Sequence, residues 1–377
     1  MVAPSQSQSI VISGYYGFKN SGDEAVLESI LTALKEQGEA TGVNINPVVL
    51  SIDPEWTAAT YGVQSVHRMK LAEVRQALKV SSGLISGGGS LLQDATSSKT
   101  IPYYLGIMKL AQWMRKPVFI YSQGIGPVHQ KLFHPMIKSV FNKCKYISVR
   151  DYQSAELLQS MGLNSERIHV VPDPVMGLTT GPYLNDGGST SGDSLPVVGI
   201  SVRYWDKEKK ELEQIAEGLR QVCYQQPLHL RFLPFHLPDD AEASRYIKER
   251  IGDISSTGSK ISDCLEAVHP QQMLAEVSRC QLVIGMRLHS LIYAANQSVP
   301  FIGVSYDPKI DHFMDRMDMK PVGTSSSLLP EALAAEMIQL LGNAGGWRKA
   351  HAGQIAVLKQ EAQSPAQHII EFLSGKG

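Results

Sequence analysis

The sequence predicts an α/β protein built from two Rossmann-like parallel-sheet domains facing across a cleft, and three observations predict it. Short apolar runs rich in Val and Ile recur along the chain, the pattern of strands buried on both faces. Glycine-rich or polar loops and then helical periodicity follow many of these runs. One tract, TTGPYLNDGGSTSGDSLP at Thr179–Pro196, breaks the series by its Gly, Ser, Pro and Asp content, and a fresh series begins after it. A chain of 377 residues is long enough for two such domains, each with its own core. The boundaries read as 1–178 for the first domain, 179–196 for a linker, 197–350 for the second domain, and 351–377 for a helical segment crossing back onto the first.

In chain order, Ile10–Ser13 reads as a strand, followed by the loop GYYGFKN and a helix from Gly22 to Gln37, with Ser21 and Glu24 at capping-box spacing. Val48–Ile52 is a second strand. Gly83–Ser86 leads into the Gly87–Gly89 loop and a helix, Pro117–Ser122 into QGIGP, and Tyr146–Val149 into Arg150, Asp151 and a helix. After the linker come strands Val197–Val202 and Leu228–Leu233. The stretch LVIGMRLHSLIYAANQSVPFIGVSYDPK follows, read as strand Leu282–Gly285, helix Leu288–Asn296 and strand Pro300–Ser305. Ile355–Leu373 reads as helical.

Composition narrows the function. The formal net charge of −1 argues against a nucleic-acid partner, and MVAPSQSQS lacks the basic start and apolar core of a signal peptide. No apolar run approaches the roughly 20 residues of a spanning helix. Cys144, Cys223, Cys264 and Cys280 are widely spaced, the usage of buried thiols in a reducing, cytoplasmic compartment. Charge is unevenly placed, however. Ala95–Arg150 contains no acid but holds Lys99, Lys109, Arg115, Lys116, Lys131, Lys138, Lys143, Lys145 and Arg150. Helically spaced apolar residues run through it, Tyr103, Ile107, Leu110 and Met114, then Leu132, Phe133, Met136, Ile137, Val140 and Phe141. Such basic amphipathic segments suit an anionic membrane surface or an anionic ligand. Alternatively, the stripes face the core and the lysines face water.

In open α/β sheets, ligands bind at the carboxyl ends of strands. That rule places Arg287, Leu288, His289 and Ser290 beside Lys309 on one rim, where two cations, an imidazole and a helix N-terminus describe an anion site. Each alone has a structural reading: Arg287 could pair with Asp307, and His289 could cap its helix. In the first half, Tyr15, Tyr16 and Phe18 crowd a glycine loop beside Asn20, Gly22 and Asp23, a setting for sugar hydroxyls and the apolar faces of sugar rings. Arg150 ends an apolar strand, with Asp151 or Glu156 as possible local partners. Asp173 sits between prolines in VVPDPVM, as an acid/base group or a cap, and His236 in FLPFHLPDD takes lower weight. No H-E-x-x-H, G-x-S-x-G, D-x-D, Walker or dinucleotide motif is present, and no metal is expected.

The pieces GYYGFKNSGDEA, LISGGGSLLQD, YSQGIGP, SVRD, PDP, GMRLHSLIYA and SYDPK, in this order, resemble the polysaccharide pyruvyl transferase family, especially the CsaB-type enzymes of bacterial cell-wall assembly. The resemblance implies a fold like that of GT-B glycosyltransferases. It also implies transfer of pyruvate from phosphoenolpyruvate onto a sugar as a cyclic ketal, releasing phosphate. For CsaB-like members the acceptor is β-N-acetylmannosamine on a lipid-diphosphate-linked disaccharide, and the product anchors surface-layer proteins. Carried over by motif, Arg150, Arg287, His289 and Lys309 would hold phosphoenolpyruvate, and Tyr16 and Phe18 would border the site. His289 is then the first choice for acid/base work, with Asp173 or Asp23 behind it. This places the protein in the cytoplasm, at the inner membrane face when it meets its acceptor. A nucleotide-sugar glycosyltransferase or epimerase of the same fold is the competing enzyme reading, and a non-catalytic glycan- or lipid-binding module is a third.

Overall fold

The computed structural model describes residues 6–95, 97, 99–185 and 195–375. The chain forms two compact units. The first comprises the chain up to Lys19, Asp23–Leu178 and the residues from Leu358; the second comprises Asn20–Gly22 and Thr179–Val357.

The first unit contains β1 (Gln6–Tyr16), all but the first two residues of α1 (Ser21–Thr41), β2 (Val43–Ser51), α2 (Pro54–Tyr61), β3 (Gln64–His67), α3 (Leu71–Val80), β4 (Gly83–Ser86), β5 (Gly89–Leu92), α4 (Thr100–Trp113), β6 (Val118–Ile125), α5 (Phe133–Phe141), β7 (Tyr146–Val149), α6 (Tyr152–Ser160) and β8 (His169–Val170). Its sheet runs β3-β2-β1-β4-β6-β7-β8, with β5 pairing β6. Every pairing is parallel. Ile10, Val11 and Ile12 of the central β1 are fully buried on both faces, and each such side chain stabilises the fold by roughly 1.5–3 kcal/mol.

The second unit contains β9 (Val197–Ser201), α7 (Lys210–Gln225), β10 (His229–Phe232), α8 (Asp239–Ile251), β11 (Lys260–Asp263), α9 (Pro270–Ser278), β12 (Leu282–Gly285), α10 (Leu288–Asn296), β13 (Phe301–Ser305), α11 (Pro308–Arg316), β14 (Gly323–Thr324), α12 (Pro330–Gly342) and most of α13 (Ala344–Glu361). Its parallel sheet runs β11-β10-β9-β12-β13-β14. α14 (Ser364–Leu373) belongs to the first unit, where Phe372 packs edge-on against Phe119 of β6.

Four local expectations change. The Gly87–Gly89 loop leads into β5 before any helix, because Leu91 and Leu92 are apolar and buried and continue pairing with β6. The expected helix Ile355–Leu373 is two helices. Pro365, in the first turn of α14, lacks the N–H that a continuous helix would use. Of the expected linker, residues 186–194 lie outside the described residues. Its start is no free tether: Gly181–Asn185 forms a 3-10 turn, and Gln271 of α9 donates to the Thr179 carbonyl at 3.1 Å.

The fourth change concerns α1. Glu24 does not complete a capping box with Ser21. Its Oε1 accepts from the Gly17 and Lys19 amides at 2.8 and 3.2 Å, and its Oε2 accepts from the Tyr61 hydroxyl at 3.0 Å. Asn20 instead accepts from the Gly22 amide at 3.1 Å. Glu24 therefore fixes the aromatic loop from beneath. Burial pushes its carboxyl up to about 7, against the opposing pull of Tyr61 and the two amides.

A proton is thus held more tightly by Glu24 in the folded chain than in the unfolded one. The contribution to stability is full below about 4.5, the ordinary Glu value, is lost as pH rises to about 7, and changes no further above it. The loss amounts to roughly 3 kcal/mol. Glu24→Gln should lack it, so wild-type minus variant unfolding free energies from urea titrations should fall across this range. A difference flat with pH would refute the assignment.

Candidate functional site

In the first unit, four of the motifs meet at Arg150. Tyr146–Val149 is a buried strand, so the next residue emerges at the carboxyl edge. Arg150 is only 7% exposed there. It donates to Ser90 Oγ of GGGS at 2.7 Å, and it pairs with Asp173 at 3.5 Å and Asp151 at 3.6 Å. Gly124 of QGIG admits the guanidinium: a Cβ there would lie 2.8 Å from Arg150 Nε. Asp173 also caps its turn by accepting from the Val175 amide, and Asp151 caps α6 by accepting from the Ser154 amide. Arg150 is thus a cation already engaged by two buried carboxylates, with Asp151 filling the local-partner role considered from sequence.

Along β1 the alternation of faces separates two neighbouring tyrosines. Tyr16 is 1% exposed, its ring pressed against Gly14 and Gly87. It fills the core and does not border an accessible site, contrary to expectation. Tyr15 is the accessible ring of the two: it is 39% exposed and stacks on Phe18 with ring centres 3.8 Å apart. Arg68, unremarked in the sequence, underlies this pair. Its guanidinium lies 5.5 Å from the Phe18 ring centre and 4.5 Å from that of Tyr103, and it donates to the Gly14 carbonyl at 2.9 Å. Asp23 lies beside Gly89, where a Cβ would come within 3.1 Å of its carboxylate.

In the second unit the carboxyl edge is organised by Asp240, fully buried in the first turn of α8. Its Oδ2 accepts from the Phe235 and His236 amides and from Arg287 Nε, each at 3.0 Å, while Arg287 Nη2 bonds Oδ1. This bidentate pair replaces the Arg287–Asp307 bridge considered from sequence. Lys309 pairs with Asp307 instead, at 3.2 Å. Ser290 donates to the Arg287 carbonyl at 2.6 Å, which ties its hydroxyl to the start of α10, and Leu288 is buried.

His289 rests against Gly22: a Cβ on Gly22 would lie 2.1 Å from its Nδ1. The neighbours of Gly22 are bound into the same unit. The Ser21 amide donates to the Phe235 carbonyl at 2.8 Å, the Tyr293 hydroxyl donates to the Ser21 carbonyl at 3.1 Å, and Asn20 bridges to His236. The NSGD motif therefore seats the imidazole of the RLH motif.

Among the described residues, one group has metal-ligand spacing, Cys264, Glu266 and Glu276. Arg231 already lies on both its carboxylates, at 2.6 and 3.0 Å. Of the basic segment, Ile107, Phe133, Ile137, Val140 and Phe141 face the core, so most of both stripes serve packing. Trp113, Leu132 and Met136 are exposed at 73%, 60% and 42%. No helix among the described residues is long and apolar enough to cross a membrane.

The fold class is that of GT-B-like epimerases and glycosyltransferases. The structure is similar to a putative UDP-N-acetylglucosamine 2-epimerase from Listeria monocytogenes (TM-score 0.65, 13% identity, 98% of this chain and 96% of that one). It is also similar to a glycosyltransferase from Rickettsia africae (TM-score 0.66, 11% identity, 98% and 100%), and to Anabaena HepE in complex with UDP and glucose (TM-score 0.61, 14% identity, 98% and 100%). The family model for polysaccharide pyruvyl transferase matches residues 20–308, and the chain belongs to that family of transferases. A curated relative is the amylovoran biosynthesis protein AmsJ of Erwinia amylovora, 19% identical over 304 residues, 72% of this chain and 68% of that protein.

Removing Asp240 leaves a largely buried guanidinium without its carboxylate. Asp240→Ala should cost about 3–5 kcal/mol of stability, and the double variant with Arg287→Ala should cost less than the sum of the singles. Denaturant titration of the four proteins checks this; strict additivity would contradict it. Gly22→Ala must displace the His289 imidazole, so the ring NMR signals of His289 should move from their wild-type positions; an unchanged spectrum would contradict the contact.

Proposed function

We propose that the chain transfers pyruvate from phosphoenolpyruvate, as a cyclic ketal, onto a sugar of a lipid-diphosphate-linked glycan, releasing phosphate in cell-wall polysaccharide synthesis. Membership of the pyruvyl transferase family supports pyruvate transfer in polysaccharide assembly. The observation that carries the reading is the preset edge of the second sheet, where Asp240 fixes Arg287 and Gly22 seats His289. A CsaB-type acceptor, β-N-acetylmannosamine, follows from the motif resemblance.

The chemistry divides among few groups. Protonation of the enol CH2 carbon gives a methyl group and an oxocarbenium ion at C2. One sugar hydroxyl adds to C2, phosphate leaves, and a second hydroxyl closes the ring. Of the two hydroxyl protons, one balances the new methyl C–H and the other departs with phosphate. His289 is assigned the proton transfer, while Arg287 and Lys309 hold the anionic substrate. Arg150 keeps its assignment to the same substrate, with Asp173 as its carboxylate partner. Tyr15 and Phe18 offer the acceptor an aromatic face. Cations of the protein neutralise the substrate, so no metal or cofactor is needed.

Incubation with phosphoenolpyruvate and a diphosphate-linked disaccharide should release phosphate only when both are present, and release should continue in chelator. Phosphate release abolished by chelator and restored by one metal would refute the metal-free scheme. Turnover of a UDP-sugar, in place of phosphoenolpyruvate, would instead support the nucleotide-sugar reading. His289→Ala should lower kcat at saturating phosphoenolpyruvate; a change confined to KM would make His289 a binding residue only.

The exposed Trp113, Leu132 and Met136 lie in a segment rich in lysine and arginine, which supports peripheral contact with the inner membrane face, each cation near an anionic surface contributing roughly 1 kcal/mol. Binding to anionic vesicles should be salt-sensitive and weakened by Lys131→Gln with Lys138→Gln. Transfer to a water-soluble acceptor should survive those changes. Vesicle binding that is absent at low salt would remove membrane contact from the scheme.

A further inference from the structure

Two of the cations at the carboxyl edge of the second sheet are matched by carboxylates. Arg287 is bidentate on Asp240, and Lys309 lies 3.2 Å from Asp307. Arg203, two residues beyond β9, differs in that all its partners are neutral. Its Nη1 donates to the Tyr306 hydroxyl at 3.1 Å and its Nε to the Tyr204 carbonyl at 3.3 Å. Its guanidinium carbon lies 5.1 Å from the Tyr306 ring centre and 5.5 Å from that of Trp205. Among the described residues, no carboxylate forms an ion pair with it.

Sheet order fixes where this charge lies. β12 runs between β9 and β13. The bond from Arg203, after β9, to Tyr306, after β13, therefore passes across the end of β12, where Arg287, Leu288 and His289 open α10. Trp205 and Tyr306 sit with ring centres 4.5 Å apart and hold the guanidinium plane. Of the five N–H groups of an arginine, two are engaged here and three remain for a ligand. Phosphoenolpyruvate has a phosphate and a carboxylate to place, and at this edge Arg287 and Lys309 are already matched.

We propose that Arg203 is a specificity-determining residue for the anionic donor, its unmatched guanidinium taking the carboxylate or phosphate of phosphoenolpyruvate while Tyr306 and Trp205 fix its orientation. This rests on the pyruvyl-transfer reading above. The guanidinium gives a planar fork to a planar or tetrahedral oxyanion. Paired Lys309 cannot supply that geometry.

The test measures phosphoenolpyruvate affinity by calorimetry, both Michaelis constants, and melting temperature for full-length wild type, Arg203→Gln, Arg203→Lys and Tyr306→Phe. Loss of a charged hydrogen-bonded contact should weaken phosphoenolpyruvate binding by roughly 10–100-fold in Arg203→Gln. The loss should appear in KM for phosphoenolpyruvate and not in KM for the acceptor. Arg203→Lys should recover part of it, and Tyr306→Phe should lie between wild type and Arg203→Gln. If Arg203→Gln fails to fold, reduced affinity in Arg203→Lys and Tyr306→Phe at wild-type melting temperature carries the same support. A wild type that binds phosphoenolpyruvate alongside an Arg203→Gln that binds equally well overturns this inference alone. So does a loss confined to acceptor KM, which would assign Arg203 to the glycan diphosphate. A wild type that neither binds nor converts phosphoenolpyruvate overturns the functional reading together with this inference.

Discussion

Both sheets are parallel and covered on both faces, and this constraint governs where polar chemistry can occur. Strands such as β1, β4, β12 and β13 are buried along most of their length, so an uncompensated charge within them would face a desolvation cost of several kcal/mol. Charged side chains therefore collect where strands end. Arg150, Arg203, Arg287 and Lys309 all stand just beyond a strand, as do Asp151 and Asp307. Charge placement is thus a result of one packing rule.

Electrostatic pairing then distinguishes cations that look alike in sequence. Arg150 and Arg287 are held by buried carboxylates, so their geometry is fixed before any ligand arrives. The pairing also lowers the net attraction each can offer an anion. Such residues give orientation more than field. Arg68 and Arg203 are held by rings, hydroxyls and carbonyls, which position a guanidinium without cancelling its charge.

The sequence carried much of the fold because the parallel strands are continuous apolar runs with sharp ends. The limits of β7, β12 and α10 agree with the apolar pattern to the residue. Residues adjoining those runs, Arg150, Arg287 and His289, were legible as edge residues for the same reason. The Arg150–Asp151 pair was legible as well, whereas what holds Arg287 and His289 was not. Asp240 pairs with Arg287 across 47 residues, and the motif FHLPDD draws the eye to His236. The Gly22–His289 contact joins opposite ends of the family pattern, and nothing local in either motif announces it. Tyr15 and Tyr16 were not separable, because β1 continues to Tyr16 past an irregularity after Ser13 that the apolar pattern does not show.

The second unit is discontinuous, since Asn20–Gly22 belongs with Thr179–Val357. A gene fusion joined at Leu178 would inherit the Phe235 carbonyl and the Tyr293 hydroxyl without the Ser21 peptide that both engage. Shuffling of whole halves between relatives would therefore have to carry a compatible tripeptide from near the amino terminus. The second unit is thus encoded in two pieces, one of them three residues long and placed ahead of most of the first unit.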